Sequence, residues 1–376
     1  YRFLARLFGN GRFICPVIKA NAYGHGDLEV VRTLSTENVS AFGVGFLEEA
    51  IRLREAQVKS PILCFGPLQG KEFLLAQRYQ IIPVLSSMDQ LRQLLELKVP
   101  LKCHIKFDTG MHRLGFAMDE AAQVRELLSA HGHYVQVEGF MSHLADGHDF
   151  LLNDSFSLEQ LRRFQDLLTH WGWSGAQFSN HLFNSQGAVS CYHKFGELPK
   201  GMGVRIGIGL YGYLPDLVGF NLNFLLKPVM EIWSRIVHVL RVEPGETVSY
   251  GRRWKASRPS FIGVVPFGYA DGLSRNAMGR GYVVVRDQKV PIVGAITMDA
   301  LMCDLTEVTK KYSVDRLLGE PVMLMGLSEQ ASITALDWAR WSDTIVWEVV
   351  SRISDRVTRL WVSQEYLDHS LDNKEI

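Results

Sequence analysis

No apolar stretch in the 376 residues approaches the roughly 20 needed to cross a bilayer, and no basic start runs into an apolar segment of the secretory kind. A membrane-spanning or secreted chain is therefore not expected, and the expected compartment is the cytoplasm. Charge of one sign is also lacking. Lys plus Arg and Asp plus Glu number 40 each, so no overall field draws nucleic acid or an anionic surface, and a small molecule is the expected partner. Cysteine is scarce and unpatterned: Cys15, Cys64, Cys103, Cys191 and Cys303 are odd in number and have no CxxC spacing. They read as buried free thiols in a reducing compartment, not as a disulfide framework. Repeats and low-complexity linkers are absent. The chain starts at Tyr1 and not at Met, as a processed or shortened product would.

What is present is core. Apolar residues make up 47% of the chain, and its length exceeds what one core usually serves, so two domains are expected. Through the first 210 residues, short β-branched or aromatic runs alternate with segments of helical periodicity. Strands are expected at 13–19, 41–46, 61–65, 81–85, 101–107, 136–142, 176–179 and 204–208, and helices at 27–37, 47–57, 87–98, 118–131 and 156–171. Eight strands alternating with helices fit an α/β fold of the (β/α)8, TIM-like barrel type over residues 1–226. From 227 to 376 the pattern changes to period two around Gly and Pro turns, which predicts a mainly β domain with one late helix near 331–352.

In such a barrel the functional side chains sit at the C-terminal ends of strands. Lys19 ends the first apolar run, "FICPVIK". It either snorkels to water or has its proton affinity lowered and forms a Schiff base with a carbonyl. Strand five ends in "KFDTGMHRLG", with Lys106, Asp108 and Arg113 beside the mouth, and an arginine there suits a planar carboxylate. Strand six delivers His143, followed by Asp146 and His148; this H-x-x-D-x-H spacing has no geometry to hold a metal, and none is expected. After strand seven, Ser185 in "NHLFNSQGAV" is expected to be the N-cap of a short helix whose free N–H groups form an anion site. Strand eight carries Arg205, with Gly207 and Gly209 allowing close backbone approach. A phosphate site opposite a strand-one lysine implies a phosphorylated carbonyl cofactor.

From about residue 13 to 362 the sequence resembles the alanine racemase family, pyridoxal 5'-phosphate enzymes of the barrel-plus-β-domain type. The resemblance rests on "KANAYGHG", "FDTGMHRLG", "SH" at 142–143, "NS" at 184–185, "RIGIGLYG", "VSYG", "FGYADGLSR" and "MD" at 298–299, in that order. It implies that Lys19 binds the cofactor aldehyde and is one base, and that Tyr23 and Ser185 contact the phosphate, joined by the backbone amides of Gly207 and Ile208. It further implies that His143 packs on the pyridine ring and that Arg205 hydrogen-bonds the ring nitrogen, which tempers the electron sink and limits side reactions. Arg113 would steer Tyr250 and the substrate carboxylate, with Lys106 beside it where relatives often carry a carbamate. Tyr250 is the implied second base, and Met298 the implied backbone donor to the substrate carboxylate. Both come from the other subunit of a homodimer with shared sites. Racemisation removes the α proton from one face and returns it on the other, so two bases must flank that carbon, each worth about 10²- to 10⁴-fold.

The pattern also departs from the family. Trp361 stands where relatives have a phosphate-binding tyrosine, which replaces a hydroxyl by an indole N–H pointing elsewhere and implies weaker cofactor retention. Thr297 replaces a Cys or Ser. In the access corridor Asp146 comes early and His148 holds the place of the family's acidic residue, while Tyr269 and Arg275 keep theirs. The expected function is racemisation of L- and D-alanine to supply D-alanine for cell-wall peptidoglycan. A racemase of broader range, acting on serine or basic amino acids, and a non-catalytic pyridoxal-phosphate-binding protein are the alternatives.

Overall fold

The computed structural model describes residues 1–9, 11–217, 221–328 and 330–362. The chain divides into two compact units, one of Tyr1–Ala22 and Gly26–Leu226, the other of Tyr23–His25 and the residues from Lys227 onward.

The short apolar runs of the first unit become β1 (Ile14–Pro16), β2 (Phe42–Val44), β3 (Ile62–Cys64), β4 (Ile82–Leu85), β5 (Leu101–Lys106), β6 (Val135–Met141), β7 (His181–Phe183) and β8 (Gly203–Ile206). Most are buried along their whole length, as parallel strands covered by helices must be. They pair in the order β1-β8-β7-β6-β5-β4-β3-β2. Val17 bridges to Gly43 in parallel and the Ile18 N–H donates to the Gly43 carbonyl at 2.8 Å, which joins the end strands into a barrel. At the same seam Ser40 supplies two bonds to Ile14: its N–H donates to the Ile14 carbonyl (3.0 Å) and its Oγ accepts the Ile14 N–H (2.9 Å).

Helices Asp27–Leu34, Leu47–Glu55, Met88–Leu97, Ala121–Ala130 and Phe156–His170 stand where periodicity places them, Ser185–Phe195 is the helix expected after the seventh strand, and Arg2–Phe8 and Glu72–Arg78 are additional. The seventh strand corrects the sequence reading. Residues 176–179 are not a strand: the Phe178 N–H closes a turn on the Gly175 carbonyl (3.1 Å), and the Phe178 ring packs edge-on against Phe140. The paired segment is His181–Phe183, which bridges Met141 on one side and Gly203 on the other.

In the second unit β9 (Ile232–Arg235), β10 (His238–Val242), β11 (Thr247–Val248), β12 (Trp254–Lys255), β13 (Ser260–Val265), β14 (Tyr282–Val285), β15 (Gln288–Pro291), β16 (Leu301–Asp304), β17 (Pro321–Leu327) and β18 (Ser332–Ile333) pair antiparallel throughout. Val242, Val248, Ile262, Val293 and Met302 pack in one core cluster. The late helix is in fact two, Ala335–Ser342 and Val346–Ser351, because Asp343 takes a left-handed conformation (φ 53°) that ends the first. All five cysteines are buried free thiols. Among the described residues no helix is long and apolar enough to cross a membrane.

Candidate active site

β1 gives way at Lys19 to a turn of unusual hand. Ala20, Asn21, Ala22 and Tyr23 all have φ of 52–54°, a conformation that costs an L-residue roughly 1–2 kcal/mol each. Local bonds hold it. The Ala22 N–H donates to the Ile18 carbonyl (2.8 Å), the Gly26 N–H to the Asn21 carbonyl (3.0 Å), the Asp27 N–H to Asn21 Oδ1 (3.0 Å), and the Ala20 N–H to Glu49 Oε1 (2.6 Å). Lys19 is open to solvent in the single chain. Even so, the mass of the barrel mouth draws water away from its amine, and Arg113 and Arg205 add repulsion. These outweigh the attraction of Glu49 and lower the amine's proton affinity.

Arg205, on β8, lies in a buried cluster of polar groups. One terminal nitrogen donates to His181 Nδ1 (2.6 Å) and the His181 carbonyl (3.2 Å); the other donates to His143 Nδ1 (2.8 Å) and to the carbonyls of Ser142 (2.9 Å) and Leu182 (3.0 Å). A guanidinium only donates, so both imidazoles accept at Nδ1 and carry their hydrogen on Nε2. His181 Nε2–H then donates to His104 Nδ1 (2.9 Å), which sets His104 in the same tautomer. Burial, then the charge of Arg205, pushes His143 and His181 far below the usual imidazole range and His104 down to about 3. Arg205, itself lowered to about 10 chiefly by burial, stays the cation. The bare approach of Gly139 makes room: a Cβ there would lie 2.8 Å from the His104 ring and 2.3 Å from the Ser179 carbonyl.

After β7 the N-cap is Asn184, not Ser185: the Asn184 side chain accepts the Gly187 N–H (2.8 Å). Ser185 is instead the first residue of an 11-residue helix. Its Oγ accepts the N–H groups of Gly207 (2.9 Å) and Gly209 (3.2 Å), which leaves its hydroxyl hydrogen to donate outward. A Cβ on Gly209 would crowd Ser185 at 3.0–3.1 Å. The Ile208 N–H donates to no described residue. The result is a set of donors at a helix N-terminus, suited to an anion.

Lys106, at the end of β5, is only 6% exposed. Its neighbour Asp108 accepts the Gly110 and Met111 N–H groups (2.8 and 2.9 Å). Burial, then Arg205 and Arg113, pushes the Lys106 amine down to about 8. Arg113 is exposed. Asp146 Oδ1 sits 2.6 Å from His148 Nδ1, and among the described residues no group of three or more His, Cys, Asp or Glu is arranged to hold a metal.

The second unit carries the other predicted residues. Tyr250, 73% exposed, follows Ser249, whose φ of 64° is held by an Oγ–H bond to the Ala295 carbonyl (2.7 Å). Met298, 51% exposed, tips a turn closed by the Thr297 N–H and hydroxyl, both donating to the Ala300 carbonyl (2.9 Å). Its own N–H donates to no described residue. Gly268 lets the turn come close, since a Cβ would fall 2.3 Å from the Met298 carbonyl. The exposed Tyr269 anchors the same turn through its N–H to the Thr297 carbonyl (3.0 Å). Arg275 begins a short 3-10 turn. Tyr23 is buried, which pushes its phenol well up. The Trp361 indole N–H is spent on the His25 carbonyl (3.1 Å).

Comparison with known proteins decides the family. Residues 1–215 match the alanine racemase N-terminal domain and residues 229–361 its C-terminal domain. The chain belongs to the alanine racemase family. It is 36% identical to the alanine racemase of Geobacter sulfurreducens over 96% of this chain and 94% of that one, and 36% identical to that of Sorangium cellulosum over 93% and 91%. Among solved structures, alanine racemase of Clostridium difficile 630 superposes with a TM-score of 0.84 at 29% identity, covering 96% of this chain and 92% of that one. Alanine racemase of Bacillus anthracis, crystallised with bound L-Ala-P, gives 0.84 at 28%, covering 98% and 94%. Family membership makes the chain an isomerase. In this alanine racemase fold the first unit gathers Lys19, Lys106, Arg113, His143, Ser185, Arg205, Gly207 and Ile208 on strand ends and the loops after them. Sequence reasoning missed His104, His181 and Glu49.

Proposed function

We propose that the protein interconverts L- and D-alanine by a two-base mechanism with pyridoxal 5'-phosphate. The observation that carries this reading is a lysine of lowered proton affinity in the same barrel mouth as a built anion cradle and a buried arginine. The cofactor's three chemical parts find counterparts. Its aldehyde suits the Lys19 amine, its phosphate suits Ser185 Oγ–H and the Ile208 N–H, with Tyr23 as a further hydroxyl, and its ring nitrogen suits Arg205. The Gly207 N–H already donates to Ser185, so its part is to hold that hydroxyl in place. All five Arg205 contacts use the terminal nitrogens, and the Nε–H is the donor left over for the ring. His143, neutral and held by Arg205, supplies a flat face for packing. When bound, the cofactor withdraws electrons from the substrate and acidifies its α C–H.

The remaining work is done by side chains. Lys19 takes or returns the proton on one face, which requires the neutral amine that the barrel mouth favours. Tyr250 of a second copy serves the other face, and its exposure together with that of Met298 supports a homodimer with shared sites. The Met298 N–H and the Arg113 guanidinium hold the substrate carboxylate. Arg205 cannot give up its proton readily or accept one, which keeps the ring nitrogen unprotonated and moderates electron withdrawal. Lys106, where burial and the repulsion of Arg205 and Arg113 outweigh the attraction of Asp108, is the position for a carbamate, whose negative charge would face Arg113. The product role is supply of D-alanine for peptidoglycan in the cytoplasm.

The test is incubation with L-alanine, L-serine or L-lysine in heavy water, following optical rotation and deuterium at the α carbon. Alanine should lose rotation and gain deuterium fastest. Equal rates on serine or lysine would establish the broader-range racemase, and no exchange on any would sink the reading. In parallel, Lys19→Ala should abolish the visible absorbance of bound cofactor; an unchanged spectrum would overturn Lys19 as its anchor.

A further inference from the structure

Glu49 is absent from the roles above, yet its carboxylate touches the backbone on both sides of Lys19. Oε1 accepts the Ala20 N–H at 2.6 Å, while Oε2 accepts the N–H groups of Gly45 (2.7 Å) and Phe46 (3.0 Å). The bond to Phe46 is ordinary helix capping, since Glu49 is the third residue of helix Leu47–Glu55 and Phe46 its N-cap. The other two are not explained by a cap. Ala20 belongs to the left-handed turn, and Gly45 belongs to the loop after β2. A Cβ on Gly45 would lie 3.2 Å from Glu49 Oε2 and 3.5 and 3.7 Å from Lys19 Cβ and Cδ. The bare Gly45 backbone therefore flanks the lysine stem.

We propose that Glu49 is a positioning residue that ties the strained turn at Ala20 to the loop after β2, and so fixes the direction in which Lys19 leaves the barrel wall. This rests on the reading of Lys19 as cofactor anchor and base. The turn is costly backbone, and a side chain on an unsecured turn would sweep a wide cone. A misplacement of about 1 Å at a reacting group can cost on the order of 10²-fold in rate. Glu49 also acts through charge. The groups that bear on the Lys19 amine are Arg113 and Arg205, which repel a proton, Glu49, which attracts one, and His143 nearby, which stays neutral.

The test compares Glu49→Gln with Glu120→Gln in the full chain. Glu120 makes a similar capping contact, to the Ala117 N–H at 2.7 Å, away from the lysine turn. A glutamine retains one acceptor oxygen and sets an NH2 against an N–H. Three readouts are taken: visible circular dichroism of the bound cofactor, kcat and KM for alanine, and the pH midpoint of Lys19 acylation by competitive labelling after the cofactor is removed with hydroxylamine. Glu49→Gln should weaken the dichroic band and lower kcat by on the order of tenfold to 10²-fold. KM should stay within about threefold, and the labelling midpoint should move to lower pH. Glu120→Gln should change none of them. If the two variants match in all three, Glu49 is only a cap and the proposal is overturned. Should Glu49→Gln fail to fold, Gly45→Ala, which presses on Oε2 and the lysine stem, must lower kcat and the dichroic band; unchanged values refute the proposal. The labelling midpoint is read without cofactor or turnover. It therefore reports on Glu49 even where the wild type shows no racemase activity, an outcome that would instead remove the proposed function.

Discussion

Replacing Lys106 with Met should stabilise the protein at neutral pH. The amine is nearly enclosed, carries Arg205 and Arg113 as repelling neighbours, and is pushed down to about 8 from the 10.5 of a free lysine. At about 1.4 kcal/mol per pH unit that gap corresponds to about 3 kcal/mol, an order-of-magnitude figure. Between about pH 8 and 10.5 the unfolded chain holds a proton that the folded chain has released, so stability rises with pH across that window. Below about 8 the lysine is charged in both states and the full penalty is present; above 10.5 none remains. Methionine matches the stem and carries no charge. In carbon-dioxide-free buffer the variant should exceed the wild type by up to about 3 kcal/mol at pH 7, and the two should converge by pH 10.5. Urea titrations followed by far-ultraviolet circular dichroism, at fixed protein and cofactor concentration, measure this directly. Bicarbonate should narrow the pH 7 difference by stabilising the wild type through the carbamate while leaving the variant unchanged. A variant less stable at pH 7, or a difference that does not depend on pH, would refute the reasoning.

Other expectations are narrower. Tyr250→Phe should slow loss of α deuterium from L-alanine by 10²- to 10⁴-fold and from D-alanine far less; equal slowing would argue against a tyrosine base for one face. Trp361→Tyr should retain pyridoxal phosphate longer on dialysis, because a phenol restores a hydroxyl where the indole N–H is spent on His25. Identical retention would show that the tryptophan compensates. Gly268→Ala puts a methyl 2.3 Å from the Met298 carbonyl and should cost about 1–3 kcal/mol together with a raised KM for alanine; unchanged KM would separate that turn from carboxylate binding. His104, His143 and His181 are neutral in the fold and free to protonate when unfolded. Stability should therefore fall as pH drops below about 6.5, by up to about 4 kcal/mol per unit for the three together. A flat urea midpoint between pH 7 and 5.5 would contradict the single-tautomer chain.

The barrel was legible because its parallel strands are short apolar runs with helical punctuation, and the second unit because its period-two runs end at Gly and Pro. The seventh strand is hard to place because "AQFS" and "HLF" are both brief, and only pairing with Met141 and Gly203 distinguishes them. The late helix reads as one in the sequence because the pattern runs through Asp343, whose left-handed backbone nothing in the composition announces. Lys19, Arg205 and Ser185 stand out by their positions on strand ends or just after them. His104 and His181 do not, because a histidine inside an apolar strand reads as packing. The cue, a histidine in each of two strands flanking β6, is informative only once Arg205 stands beside them. Glu49 was hidden inside an ordinary amphipathic helix, since the bond to Ala20 joins residues 29 apart.

The junction of β1 and β2 gives the barrel a place to breathe. The barrel there is held by one bridge, by the bond from Ile18 to Gly43, and by a serine that lends its hydroxyl where a ladder would use backbone. The longer β5–β6 ladder registers six residue pairs. Amide hydrogen exchange should therefore be faster at Ile14 and Ile18 than at Cys103 or Ile105, with opening confined to the staves on either side of Lys19.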